Sequence, residues 1–169
     1  MTPNRQPHLI GVAECLPRLA LGRAGSDPTT TTTLGQGVQA SVVVLPHLVR
    51  CADCEAYLTD LSAVSEDLRQ WATRVLVVVP SDASEVAGCT VLVDPDGAAR
   101  ARIGVADNDV AVIVADRYGA VYQVDAAGAD HCLPAPAALV ELAKFIDIQC
   151  PECGVPGAEW QLSCPLPLG

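Results

Sequence analysis

The sequence predicts an α/β domain in which helices flank a central mixed sheet, and three observations support this. The β-branched run 41–45 leads into an amphipathic segment that ends at Trp71, and the run 74–80 is again continuously apolar. Apolar strand, helix and apolar strand in this order are typical of a parallel crossover buried on both faces. A strand–turn–strand pattern over 110–124 and an amphipathic stretch over 135–148 close the domain.

Size and composition agree with one such domain. The chain has 169 residues, half of them hydrophobic, with few aromatic side chains. The net charge of -10 argues against nucleic acid or an anionic membrane as a partner. Residues 1–9 contain no long apolar run, so we expect no signal peptide, no membrane span and a cytoplasmic location. Eight cysteines in a reducing compartment point to redox or metal chemistry.

The first forty residues predict little regular structure. Prolines at positions 3, 7 and 17 break helices, and 19–21 is predicted as a short edge strand. The threonine run 29–33 is predicted as a surface loop or an edge strand, because β-branched residues disfavour helix.

The central elements follow from apolar spacing. One buried helical face is predicted after Cys54, formed by Tyr57, Leu58, Leu61, Val64, Leu68 and Trp71. A short strand is predicted at 90–94, stopped by the turn residues 95–97, and a short helix at 98–103. The hairpin strands are 110–115 and 120–124, and the closing helix has an early proline. Residues 1–148 are thus predicted as one domain, and 149–169 as an irregular tail rich in cysteine and proline.

The order of these elements, with paired cysteines after the first long strand, resembles the thioredoxin-like superfamily. The details are most similar to its redoxin or peroxiredoxin-like branch, the alkyl hydroperoxide reductase and thiol-specific antioxidant type. The segments that carry the resemblance are 10–12, 17–21, 91–97, 101–105 and 112–121, within a similarity that spans about residues 9–147. The resemblance implies a three-layer thioredoxin-like fold and thiol chemistry at the cysteine pair, with no organic cofactor.

Two departures from that pattern bear on function. Thioredoxin-like oxidoreductases usually carry a cis-proline just before the first hairpin strand, where this chain has 108–109 ahead of Val110. Peroxiredoxins are expected to have Pro and Thr seven and three positions ahead of the reactive cysteine. Those positions hold Val44 and Leu48 ahead of Cys51, and His47 and Cys51 ahead of Cys54, which argues against a conventional peroxidase.

The pair Cys51 and Cys54 is the predicted catalytic site. Two thiols separated by two residues at a helix start close a disulfide with little backbone movement; the first normally attacks and the second resolves the mixed disulfide. Arg50 and the helix N-terminus favour a Cys51 thiolate, whereas Asp53 and Glu55 oppose it, so the sequence leaves the sign of the pKa shift open. Half of a metal site and a vestigial pair are the alternative interpretations.

The tail carries a second cluster, in which Cys150-Pro-Glu-Cys153 resembles a zinc knuckle. Cys164 offers a third ligand, while a second redox dithiol and an inter-subunit role are alternatives. In a thioredoxin-like fold the last helix starts near the reactive pole and runs about 20 Å away from it. His131 and Cys132 are therefore expected at the reactive pole, as poor fourth ligands for an intrachain tail site.

These observations lead to three hypotheses about function. The first is a thiol–disulfide oxidoreductase that cycles with a protein dithiol or disulfide partner. The second is a non-catalytic redoxin-like module that binds a partner protein and holds zinc in its tail, and the third is a peroxiredoxin-like peroxidase. His47 is a candidate for proton transfer, and Cys15 and Cys89, which stand alone in the sequence, are interpreted as structural. A homodimer is compatible with each hypothesis.

Overall fold

The strands of the molecule form one mixed sheet in a computed structural model, which describes residues 8–27, 30–35, 37–81 and 85–149. The strands are β1 (Leu19–Arg23), β2 (Thr31–Leu34), β3 (Ala40–Leu45), β4 (Thr73–Val79), β5 (Thr90–Val93), β6 (Val110–Ala115) and β7 (Val121–Ala127). The helices are α1 (Ala52–Ala63), α2 (Ser65–Gln70), α3 (Ala98–Ile103) and α4 (Pro136–Ile148).

The strand order across the sheet is β2-β1-β5-β4-β3-β6-β7. Strands β3, β4 and β5 are parallel, whereas β1 pairs antiparallel with β5 and β6 pairs antiparallel with β3. The predicted parallel crossover from β3 to β4 and the closing hairpin of β6 and β7 are both present. The prediction of a mixed sheet flanked by helices is therefore confirmed.

Strand β3 lies at the centre and is buried on both faces, which explains why its sequence is apolar except for Ser41. Val42 and Val44 point into a core that α1, α2 and α4 cover, and Val43 and Leu45 point into a second core on the side of α3. Full burial of each such side chain contributes about 1.5–3 kcal/mol. The strand is thus a rigid base, and the cysteine pair follows it after the short loop 46–50.

The long helix predicted after Cys54 is two helices, and this corrects the sequence interpretation. Helix α1 ends at Ala63, Val64 lies between the two helices, and α2 begins at Ser65. The Ser65 hydroxyl donates a hydrogen bond of 2.7 Å to the carbonyl oxygen of Ser62. Serine hydroxyls that bond to a preceding carbonyl bend helices, which accounts for a break that the apolar spacing alone does not reveal.

The edge of the sheet also differs from the prediction. Residues 19–21 belong to β1, which is not an edge strand because it pairs with both β2 and β5. The threonine run supplies β2, and β2 is the outermost strand on that side. One of the two alternatives for the run, an edge strand, is confirmed.

Among the described residues, no helix has both the length and the apolar character needed to cross a membrane. The tail predictions for Cys150, Cys153 and Cys164 lie outside the described residues.

Candidate thiol and histidine site

Cys51 and Cys54 lie where the chain passes from β3 into α1. Cys51 is the residue that precedes the helix, with extended backbone angles, and Cys54 belongs to the first helical turn. Cys54 is buried, with 5% of its surface exposed, whereas Cys51 is partly exposed. The unpaired N–H groups of a first helical turn favour negative charge on a nearby sulfur.

His131 lies in the loop between β7 and α4, and its side chain contacts both sulfurs. Its Nε2 atom is 3.1 Å from Sγ of Cys51 and 3.6 Å from Sγ of Cys54. Its Nδ1 atom lies 3.0 Å from the carbonyl oxygen of Ala129 and is placed to donate a hydrogen bond to it. With that proton on Nδ1, Nε2 is free to accept the thiol proton of Cys51 and, once protonated, to donate to the thiolate.

His47 approaches the pair from the other side, in the loop after β3. Its Nδ1 atom is 3.3 Å from Sγ of Cys54, and its ring stands edge to face with that of His131 at a centroid separation of 4.6 Å. Donor atoms of the two cysteines and the two histidines all lie within 4.8 Å of one another. We refer to these four residues as the thiol and histidine cluster.

Arg100 fixes the loop that carries His47. Its buried guanidinium donates hydrogen bonds to the carbonyl oxygens of Ala106 at 2.8 Å, Asp109 at 2.9 Å and Pro46. Burial lowers the pKa of Arg100. The three carbonyls belong to the loop before His47 and to the loop that leads into β6, so one side chain joins both loops beside the cluster.

The two thiols have opposite pKa shifts. The backbone N–H of Cys54, followed by the imidazole of His47, lowers the pKa of Cys51 to about 6. Burial raises the pKa of Cys54. The carbonyl of Ala129 raises the pKa of His131, and contact with Cys51 adds to this. Cys51 is therefore the more readily ionised of the two thiols, whereas burial favours the protonated form of Cys54.

The structure shows which groups determine the pKa of Cys51, a question that the charged residues in the sequence left open. Nε of Arg50 contacts Oε1 of Glu55 at 2.5 Å, and both side chains face solvent. The charge of Arg50 is thus directed at Glu55. The Cys51 thiolate is stabilised instead by the backbone N–H group of Cys54 and by the imidazole of His47. Neither group is among the charged residues next to Cys51 in the sequence.

Alkylation of Cys51 by iodoacetamide in reduced, metal-free protein is expected to have a titration midpoint near pH 6. A lowered pKa means that the thiolate persists above that pH and is lost as the pH falls through it. An ordinary thiol titrates at about pH 8.5. The absolute rate is a poor measure, because a less basic thiolate is also a weaker nucleophile. The measurement is mass spectrometry of the peptide that contains Cys51, with exposed Cys132 as internal comparison; a midpoint near 8.5 would contradict the prediction.

The other described cysteines lie outside the cluster. Cys89 is half-buried, and burial raises its pKa to about 11, in line with a structural role. Cys132 is exposed. Cys15 is disulfide-bonded, a pairing that its lone position in the sequence does not reveal and that is compatible with the structural role predicted for it.

Sequence reasoning placed His131 at the reactive pole, and the structure confirms that position. It did not recognise His131 as a partner of Cys51, because eighty residues separate the two in the chain. A usable signal was present: a histidine just before the last helix of this fold points toward the start of α1. His47, named for proton transfer, contacts the thiol of Cys54 through Nδ1, and its imidazole also lowers the pKa of Cys51.

No protein-family model matches the chain, and no curated protein matches it. Solved structures do resemble it. A peroxiredoxin-like protein from Aquifex aeolicus has a TM-score of 0.68 at 15% identity, over 83% of this chain and 90% of that one. AhpC from Enterococcus faecalis has a TM-score of 0.66 at 17% identity, over 83% and 98% of the two chains. Peroxiredoxin Q from Xanthomonas campestris has a TM-score of 0.61 at 16% identity, over 76% and 92%.

At these identities the likeness establishes the fold. The predicted thioredoxin-like three-layer architecture is confirmed, and the chain has the fold of peroxiredoxin-like proteins. The chemistry must be argued from the cluster itself.

Proposed function

We propose that this protein is a thiol–disulfide oxidoreductase in which Cys51 is the nucleophile and Cys54 the resolving thiol. One observation carries the proposal: partly exposed Cys51 lies 3.1 Å from an imidazole nitrogen of His131, next to the buried thiol of Cys54 in the same helical turn. An accessible, activated sulfur beside a shielded one is the arrangement that thiol–disulfide exchange requires.

In the first step the Cys51 thiolate attacks one sulfur of a partner disulfide. A new S–S bond forms between Cys51 and the partner while the partner's own S–S bond breaks. The second partner sulfur leaves as a thiolate and takes a proton from solvent or from protonated His131. The product is a mixed disulfide, and the electron pair has moved from Cys51 to the leaving sulfur.

In the second step Cys54 attacks the Cys51 sulfur. Its proton passes to Nδ1 of His47, which is 3.3 Å from the sulfur. The Cys51–Cys54 bond forms, the mixed disulfide breaks, and the partner leaves as a dithiol. The partner has then gained two electrons, and the protein holds one disulfide. The reaction uses no organic cofactor.

The surface around Cys51 suits a protein substrate. Leu48 and Val49, in the loop just before the pair, are 41% and 77% exposed. Exposed apolar side chains next to a reactive group mark contact surfaces for a partner. We therefore propose a disulfide-bonded protein segment, rather than a small charged molecule, as the substrate.

A peroxidase is the second candidate, and the structural neighbours favour it, because their names are those of peroxiredoxins. The Cys51 thiolate would attack the O–O bond of a hydroperoxide and form a sulfenic acid, with release of an alcohol or water. Cys54 would then condense with the sulfenic acid to give the same disulfide and one water.

Two assays on one preparation distinguish the candidates. Reduced, metal-free protein is expected to reduce the disulfides of insulin with turnover when a thiol reductant is supplied, and faster than it consumes hydrogen peroxide. Cys132→Ser, which removes an exposed thiol beside His131, is the control and is expected to retain the rate. Peroxide turnover without insulin reduction would replace the first candidate by the second, and the absence of both activities would reject both.

A further inference from the structure

The thiol and histidine cluster contains more donors than a redox pair requires. A redox pair needs two sulfurs, whereas here two imidazoles from separate loops also face them, and all four donor atoms lie within 4.8 Å of one another. Two thiolates and two imidazoles are a ligand set that Zn²⁺ takes in closed, four-coordinate sites. We propose that His47, Cys51, Cys54 and His131 bind one Zn²⁺ ion in the reduced protein.

The distances fit such a site. Zn–S bonds of about 2.3 Å and Zn–N bonds of about 2.0–2.1 Å in a tetrahedron place sulfur and nitrogen about 3.6 Å apart. The sulfur–nitrogen separations are 3.1 Å for Cys51 and His131, 3.3 Å for Cys54 and His47, and 3.6 Å for Cys54 and His131. Changes of a few tenths of an ångström bring these three pairs to tetrahedral spacing, and all four donor atoms already lie within 4.8 Å of one another.

The supporting contacts are also those of a metal site. The Nδ1 atom of His131 is bonded to the carbonyl oxygen of Ala129, which directs Nε2 at the sulfurs. Zinc-binding histidines almost always have their second ring nitrogen held in this way. Oδ2 of Asp53 lies 3.8 Å from the same Nδ1 atom and adds a negative charge behind the ring. Two thiolates balance the charge of the ion.

The scaffold holds the four ligands in place before any ion arrives. His47 follows Pro46, whose carbonyl oxygen accepts a hydrogen bond from buried Arg100. Cys51 and Cys54 are fixed by the start of α1, and His131 by a loop in which its own carbonyl oxygen accepts a bond of 2.7 Å from the N–H of Leu133. Ligands that are already ordered lose little entropy when they bind.

Zinc bound at the proposed site would regulate the reactivity of Cys51 and Cys54. Four protein ligands leave no open position for substrate, so the ion blocks both thiols. Hydrogen peroxide reverses this: the two thiolates lose two electrons and form the Cys51–Cys54 disulfide, the O–O bond breaks to give two hydroxide ions, and Zn²⁺ leaves for solvent. Zinc binding and the disulfide therefore exclude each other. Zinc binding itself does not depend on the proposed oxidoreductase activity.

The test is a zinc titration of the full chain, reduced and stripped of metal, in competition with a chromophoric chelator. We expect the protein to bind one equivalent of zinc. His131→Asn is expected to lower the zinc affinity at least about 100-fold, because loss of a contact that only supports a ligand already lowers metal affinity about 10–100-fold. Asparagine tolerates the positive φ of 46° at residue 131, so the variant keeps the backbone. The second variant is His47→Ala, in a different loop, and its zinc affinity is expected to fall by a similar factor.

Cobalt identifies the ligands, because tetrahedral Co²⁺ with thiolate ligands absorbs strongly in the visible range. The wild-type protein is expected to show these bands, one equivalent of hydrogen peroxide to abolish them, and Cys132→Ser to leave them unchanged. Wild-type zinc affinity in both histidine variants would overturn the proposal. Loss of the single bound zinc in Cys150→Ser, together with its retention in His131→Asn, would also overturn the proposal, because it would place the metal in the tail.

The outcome is independent of the enzyme assays. Insulin reduction by the metal-free wild-type protein without zinc binding would overturn this inference alone. Zinc binding by a protein that reduces no disulfide would leave the inference standing and reject the oxidoreductase.

Discussion

Cys51→Ser is expected to lower the rate of insulin reduction by at least about 10³-fold, because a serine hydroxyl is not ionised at neutral pH and does not attack a disulfide. The fold should be unaffected, since residue 51 is partly exposed and serine is favoured at the position that precedes a helix. The measurement is the initial rate with a thiol reductant, compared with wild type and with Cys132→Ser.

Cys54→Ser gives the complementary result. Without the resolving thiol the mixed disulfide cannot be released from within the chain, so a covalent adduct with the substrate should accumulate on Cys51. Mass spectrometry under non-reducing conditions detects the adduct and its site. An adduct on any other cysteine, or a wild-type rate in Cys51→Ser, would reject the assignment of the nucleophile.

Arg100→Met is expected to destabilise the protein by about 2–4 kcal/mol, the second large effect. The substitution removes the donor from the partly buried carbonyl oxygens of Pro46 and Asp109, and each buried unsatisfied group costs about 1–3 kcal/mol. The carbonyl oxygen of Ala106 loses one donor but keeps a bond of 3.0 Å from the N–H of Asp109. Relief from burying a charge offsets part of that sum. The free energy of unfolding is measured by urea denaturation, with an unchanged slope as evidence that the unfolded state is the same.

Arg102→Met is the matched control for that substitution. Arg102 lies in the same short helix but is exposed, and surface changes of this kind stay within about 0.5 kcal/mol. Equal stability of the two variants would show that the bonds of Arg100 to the two loops contribute nothing. A loss confined to Arg100→Met would confirm that one side chain holds the loop of His47 against the loop before β6.

The sequence predicted the parts of the fold that rest on continuous patterns. The apolar run of β3 and the apolar spacing in α4 were predicted correctly, because burial is continuous along the strand and recurs at regular steps along one face of the helix. The break at Val64 was missed, because it depends on one hydroxyl that bonds to a carbonyl three residues earlier. The inner position of β1 was missed because strand pairing is decided by distant residues.

In the candidate site, too, the features that depend on local sequence were predicted, and those that depend on contacts between distant residues were not. The pair Cys51 and Cys54 was found from its spacing, whereas the contact of His131 with Cys51 joins two loops from distant parts of the chain. The direction of the Cys51 pKa shift was not predictable from neighbouring charges. It is set by a backbone N–H group and an imidazole, whose positions exist only in the folded chain.

The weak anchoring of α1 has a consequence for motion. Of its twelve residues, Cys54 and Leu61 are the buried ones, and the Tyr57 hydroxyl adds one bond of 3.0 Å to the carbonyl oxygen of Pro134. Segments with little buried apolar surface open locally at a small cost in free energy, and their amide hydrogens exchange early. Strand β3 next to it is buried throughout and opens only with the whole domain. Amide hydrogens of α1 are therefore expected to exchange before those of β3, so the two thiols lie where the most protected strand meets a less protected helix.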